Sequence, residues 1–324
     1  MPRRSRQPRR LRRSRRAVAI LPAALALAAA SVALAAAQYP YGTGTGGCRV
    51  FPANNAWHEN VSKLPVSPLS SAYIASIGAG LNLHPDFGSN LTYGIPYAVV
   101  PATQPKVAIH FTAYGDQSDK GPYPIPAGAP VEGGAGSSGD RHVLVLQSGA
   151  CKLYELYAAQ PRPDGSWNAG SGAVFDLRSN RLRPEGWTSA DAAGLPIFAG
   201  LIRYDEIQRG RIDHAIRFTA PTTQAGFIHP ATHFASSSAN PELPPMGLRL
   251  RLKAGFDIAR FPRVARIILT AMKTYGLILA DNGSPWYFQG ATDPRWNDNA
   301  LDSLKSVPGS AFEVVQTGPI RRDG

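Results

Sequence analysis

Apolar and polar positions alternate along much of this chain. Residues 141–147 and 152–158 both alternate with a period of two, around Ser148-Gly149-Ala150. That pattern predicts a β-hairpin closed by a glycine turn. In its second strand Leu153, Glu155 and Tyr157 share a face. The same period predicts strands over residues 107–111, 172–177, 213–219 and 246–253. One stretch follows helical spacing instead: Val264, Ile267, Ile268, Ala271, Met272 and Tyr275 form an apolar stripe. Pro262 suits its first turn and Gly276 its stop, which predicts a packing helix over 262–276 with Arg263, Arg266 and Lys273 on the other side. Residues 277–280 read as a buried strand, 281–284 as a turn, and 286–288 as a further strand. Thr188 followed by Asp191 has the spacing of a capping box, which predicts a short helix and a structural role for Asp191. Together these elements predict a β-rich α+β protein, an antiparallel sheet or sandwich with one clear packing helix.

Punctuation between the elements sets the domain plan. Residues 120–139 are dense in proline and glycine and read as a long surface loop inside one domain. Residues 38–47, QYPYGTGTGG, lack periodicity and read as a linker. The expected plan is a signal over 1–37, this linker, and one globular domain over 48–319.

The signal rests on the first 37 residues. Nine arginines and no acid precede an apolar, alanine-rich run ending in Ala35-Ala36-Ala37. This is the pattern of a cleaved secretory signal, and Arg15-Arg16 fits the twin-arginine type. An uncleaved anchor is the alternative. The signal changes the charge picture. The chain's formal charge is +12, but without those nine arginines 25 basic residues face 22 acidic ones, near +3. A nucleic-acid partner is therefore not expected. The two cysteines, Cys48 and Cys151, read as a disulfide in an exported protein.

Candidate chemistry lies in the strands. Glu155 would be costly as an unpaired carboxylate among Leu153 and Tyr157. It is either buried in an ion pair with arginine or a general acid of raised pKa. A partner carboxylate is sought at Asp140, Asp176, Glu206 or Asp281. His142 and His214 share faces with leucine or with isoleucine and phenylalanine, so each is either a core histidine or a general base. Leu248-Arg249-Leu250-Arg251-Leu252-Lys253 alternates leucine with cation, and reads as a solvated strand face or as a cationic strip in a groove. Arg217, with Arg249 and Arg251, is a candidate for binding an anionic substrate group. Trp187, Tyr204 and Trp286, together with Trp167, Tyr287 and Trp296, could stack on sugar rings or pack the core. His229 and His233 have an i, i+4 spacing, but Pro230 and the lack of a glutamate argue against a zinc helix. No metal site and no cofactor are expected. G-x-S-x-G, Walker and G-x-G-x-x-G motifs are absent from the sequence, so serine-hydrolase and nucleotide-binding readings lack support.

Several blocks carry a family resemblance: FPANNAW, GDRHVLVL, CKLYELY, WNAGSGAVFDLRSN, GWTSADAAGLPI, GLIRYDE, LPPMGLRLRLK and YGLILADNGSPWY. In these the chain resembles a family of exported bacterial proteins, over nearly all of the sequence beyond residue 37. Some members carry an appended discoidin-type module, a module that often binds carbohydrate. The resemblance implies a link to glycans by association only, and brings neither an activity nor catalytic residues.

The expected function is a secreted carbohydrate-active enzyme, a polysaccharide hydrolase or lyase. Glu155 with Asp140 or Asp281 would serve hydrolysis. Arg217 and Arg249 with His142 or His214 would serve elimination from a uronate. The alternative is a non-catalytic exported glycan-binding or cell-envelope protein. Either way the expected partner is an extracellular polysaccharide or cell-envelope glycan, with no stable membrane span after processing.

Overall fold

A computed structural model describes residues 44–322. The expected signal and the first part of the linker lie outside the described residues. In chain order the elements are α1 (Ser70–Ile77), β1 (His84–Asp86), β2 (Tyr97–Val100), β3 (Ile109–Phe111), β4 (Val143–Gln147), β5 (Lys152–Tyr157), β6 (Gln160–Pro161), β7 (Trp167–Ala169) and β8 (Ser171–Asp176). There follow α2 (Ile197–Gly200), α3 (Tyr204–Arg209), β9 (Ile216–Ala220), β10 (Arg249–Leu252), α4 (Arg263–Thr274), β11 (Leu277–Asn282), β12 (Tyr287–Gln289), α5 (Asp298–Asp302) and β13 (Phe312–Val314). The fold is β-rich α+β.

The strands form a six-stranded sheet in the order β1-β12-β9-β11-β10-β13, a four-stranded sheet β2-β4-β5-β8, and a small sheet β3-β7-β6. The expected hairpin is β4–β5, with Leu144 opposite Glu155. The sheets are mixed rather than purely antiparallel. β9 and β11 run parallel, joined by a long crossover that contains β10 and α4. β2 and β4 are also parallel.

Both faces of the four-stranded sheet are covered. Leu144, Leu146, Leu153 and Phe175 join the main core with Phe198 and Phe218. Val143, Val145, Tyr154 and Leu156 join a smaller core with Tyr123, Ile125 and Trp167. This corrects the reading of 120–139 as a surface loop. Its first half lies on the sheet, and Tyr123, Ile125 and Ala129 are buried. Burial of large side chains, at roughly 1.5–3 kcal/mol each, holds the segment without regular hydrogen bonding. The second half is held by Arg141, which is buried at a φ of +51°. Its guanidinium donates to the carbonyls of Ala135 and Ser137, each at 2.9 Å, and to that of Ala159 at 3.0 Å.

The packing helix forms as α4, with its buried side rotated from the expected stripe. Ala265, Ile268, Leu269, Ala271 and Met272 are buried, while Val264, Ile267 and Tyr275 are half-buried. Gly276 ends it at a φ of +75°, where a Cβ would lie 2.0 Å from the Leu250 carbonyl oxygen. No helix starts at Thr188. The hydroxyls of Thr188 and Ser189 both donate to the Asp191 carbonyl, at 3.1 and 3.0 Å, and fold a tight turn. The Cys48–Cys151 disulfide is formed, tying the first described segment to the hairpin turn across 103 residues of sequence. No helix among the described residues is long and apolar enough to cross a membrane.

One irregularity in the large sheet matters below. Leu279 pairs with Phe218, but the next pair is Asp281 with Thr219, so β11 carries one extra residue, Ala280. This bulge brings Asp281 to the sheet face shared by Thr219 and Arg217.

Candidate functional site

A polar cavity of about 220 Å³ lies where the Thr188 turn meets the ends of β5 and β11. Its chemistry-bearing lining is Asp281 and Asn282 from β11, Tyr157 from β5, and Asp140, Asp191, Tyr114 and His233 from loops. Asp140 is exposed at the rim, and its carbonyl accepts the Ala158 N–H at 2.8 Å. His233 Nδ1 lies 2.8 Å from the Ala192 carbonyl oxygen. A neutral imidazole held this way carries its proton on Nδ1 and leaves Nε2 as an acceptor.

Asp281 is the distinctive group. Its carboxylate accepts the neighbouring Asn282 N–H at 2.7 Å and has no ion-pair partner among the described residues. Burial, reinforced by the Asp191 carboxylate, pushes it up to about 7 against the opposing pull of Arg217. It is therefore partly protonated near neutral pH, the state a general acid needs.

Beneath the cavity lies a paired ionic layer. Arg217 grips Asp191 with two hydrogen bonds of 3.2 and 3.0 Å, and both side chains are buried. Burial works against the Arg217 charge, but Asp191 outweighs it and holds the guanidinium above its ordinary range. His142 Nδ1 lies 2.6 Å from Glu132, and Nε2 lies 3.0 Å from the Ala190 carbonyl oxygen. Burial opposes the His142 charge, yet the Glu132 carboxylate raises it to about 9. Each ion pair holds one end of the Ala190–Asp191 wall.

Glu155 sits in this layer, wholly buried. It is neither in an ion pair with arginine nor part of the cavity lining. Its two carboxylate oxygens accept the N–H groups of Ile197 and Phe198, at 2.9 and 2.8 Å, and so cap α2. Burial pushes it up to about 7, with those two donors opposing.

The other expected residues lie away from the cavity. His214 is buried between Glu206, at 2.9 Å, and its neighbour's carbonyl. Burial disfavours the Glu206 charge, but Arg203 and His214 bring that carboxylate down to about 2. Of the cationic strip expected at Arg249, Arg251 and Lys253, only Lys253 is exposed. β10 lies between β11 and β13, Arg249 is buried, and Arg251 is largely covered. Arg249 donates to the carbonyls of Tyr275 and Ala56, both at 2.7 Å. Arg251 donates to Glu313 at 2.8 Å and to the carbonyls of Val61 and Leu64 at 2.6 and 2.9 Å. Backbone carbonyls of the 56–64 segment are thus satisfied by the cations of β10.

The expected aromatic platforms are packed. Trp286 is buried, its indole N–H donating to the Gly78 carbonyl at 2.8 Å. Tyr204 meets Trp296 edge-on and lies beneath the Arg295 guanidinium. Trp187 lies beneath Arg183. His229 pairs with Glu185, away from His233. Among the described residues no three His, Cys, Asp or Glu side chains are grouped to hold a metal ion.

The structure thus gathers Asp140 and Asp281 around one cavity, with Glu155, His142 and Arg217 supporting it from below. Tyr114, His233 and Asp191 belong to the site without any local sequence signal for it, because tertiary packing alone brings their loops together. No protein-family model, no curated protein and no solved structure matches the chain.

Proposed function

We propose that the Asp281 cavity is the active site of an exported glycoside hydrolase. The observation that carries this reading is a carboxyl of raised pKa, free of any ion pair among the described residues, sharing a cavity with a second carboxyl at the rim. Asp281 protonates the leaving oxygen, and Asp140 serves as base or nucleophile, the division of roles that glycosidic cleavage requires. Tyr114, Tyr157 and Asn282 supply hydrogen-bonding groups for sugar hydroxyls. Elimination from a uronate is less well supported at this cavity. Arg217, Arg249 and Arg251, the cations it would need, do not line the cavity and donate to other groups. Export is part of the same proposal, and the disulfide is compatible with an oxidising compartment. So is kinship with the exported proteins whose sequence blocks the chain resembles.

A second reading, binding without catalysis, draws on Tyr114. It is 46% exposed on a cavity wall, where a ring can stack on a sugar face.

The test is incubation of the purified protein with a polysaccharide panel. New reducing ends, reduced about a hundredfold or more by Asp281→Asn, are expected for a general acid. Reducing ends accompanied by the absorbance of an unsaturated uronate would mean elimination. Retention on a glycan with no product would favour the binding reading. Product formation indifferent to Asp281→Asn would move the chemistry to another site.

A further inference from the structure

A second cavity, of about 360 Å³, lies between the outer face of α4 and the 210–213 turn that follows α3. We propose that it is a subsite for the carboxylate-bearing unit of an acidic saccharide. Its charged lining consists of Arg211, Arg263, Arg266 and Asp213. Asp213 accepts from Arg211 Nε at 2.9 Å, which accounts for the single acid. Arg263 and Arg266 form no ion pair among the described residues, and both are exposed. They stand three residues apart on one helix, so their side chains are neighbours on the same face. The cavity therefore presents two uncompensated guanidinium groups, whose planar forks suit a carboxylate.

The remaining lining argues for a sugar ring rather than a bare anion. Ile267, Ala271 and Tyr275 provide apolar surface beside the cations. The Thr270 and Thr274 hydroxyls donate back to the carbonyls of Arg266 and Thr270, at 2.7 and 2.9 Å, which leaves their oxygens to accept from a ligand. Apolar surface, hydroxyl acceptors and paired guanidinium groups together match a ring bearing hydroxyls and one carboxylate. The choice of a saccharide rests on the glycan reading above; the recognition of an anion rests on the cavity alone.

Calorimetric titration of the purified protein with a galacturonate tetramer tests this, with cellotetraose as the neutral control. The acidic tetramer should bind, more weakly as salt rises, and the neutral one should not match it. The double substitution Arg263→Gln with Arg266→Gln, at exposed positions, should weaken binding about tenfold. This cavity is read by the double substitution and hydrolysis by Asp281→Asn, so failure of the hydrolase reading and failure of this one are separable. Equal binding of the two tetramers, no binding at all, or an affinity indifferent to the double substitution would overturn the proposal. So would inorganic sulfate or phosphatidylglycerol vesicles binding this cavity as tightly as the acidic tetramer, since either would show simple anion capture.

Discussion

Replacing Asp281 with asparagine should lower activity and raise stability, and the gain should depend on pH in a calculable way. In the native state the carboxyl titrates at about 7, against an ordinary value of 3.8. At about 1.36 kcal/mol for each tenfold change in proton affinity, holding it ionised in the fold costs up to about 4 kcal/mol. The side chain keeps partial contact with solvent, so the realised figure should be nearer ~2 kcal/mol. The sign follows from proton binding. Between 3.8 and about 7 the native state holds this proton more tightly than the unfolded chain does. This group's favourable contribution is therefore fully present below pH 3.8 and is lost as pH rises through 7. Asparagine does not titrate, yet it keeps an oxygen to accept the Asn282 N–H. Urea unfolding of both proteins from pH 4 to pH 8 should show curves within ~0.5 kcal/mol at the acid end. The asparagine variant should be more stable by about 2 kcal/mol at the alkaline end. A variant less stable than the parent at pH 8, or a difference that is flat with pH, would refute the assignment of a strained acid to this position.

Glu155→Leu should destabilise the protein by about 1–3 kcal/mol at pH 5, where the parent carboxyl carries its proton, because the Ile197 and Phe198 N–H groups lose their acceptors in a buried site. Activity per folded molecule should be preserved; a loss of kcat without a fall in Tm would restore Glu155 as a catalytic acid. Arg249→Met should cost about 2–4 kcal/mol in chemical denaturation by stranding the Ala56 and Tyr275 carbonyls, and an unchanged midpoint would contradict the carbonyl-binding role. Replacing Cys48 and Cys151 together with serine should cost about 4.7 kcal/mol on the loop-entropy estimate for a closure of this length. A loss below about 1 kcal/mol would mean that the reduced chain already holds those segments together.

The strands around the hairpin, the helix at 262–276 and the disulfide were legible because each rests on local periodicity or on cysteine arithmetic. The reach of β10 was not. Leucine–cation alternation is the same whether the cations meet water or backbone carbonyls, and only the 56–64 segment, nearly two hundred residues earlier in sequence, decides between them. Glu155 was correctly placed on an apolar face, but its partners are main-chain N–H groups, which leave no trace in residue types. Of the cavity, Asp140 and Asp281 were visible as carboxyls at the ends of strand patterns. Their convergence was not, because it depends on parallel pairing of β9 with β11 through a crossover whose path no local pattern records. The burial of 120–139 was hidden for a related reason: proline and glycine richness forbids regular hydrogen bonding, but does not prevent Tyr123 and Ile125 from packing.

The bulge in β11 makes the position of Asp281 a matter of pairing rather than of composition. Were the strand in register after Leu279, Asp281 would stand opposite Ala220, on the face occupied by Phe218. The same carboxyl would then lie in the hydrocarbon interior, with neither the cavity nor Asn282 arranged around it. The acid reaches the cavity because Ala280 is bulged out of the pairing rather than set opposite Thr219. A chain of the same fold could therefore keep an aspartate two residues after this leucine and still lack the site, simply by pairing the intervening residue opposite the threonine. In comparing relatives of this protein, whether the residue before the acid is bulged or paired is thus as diagnostic as the acid itself.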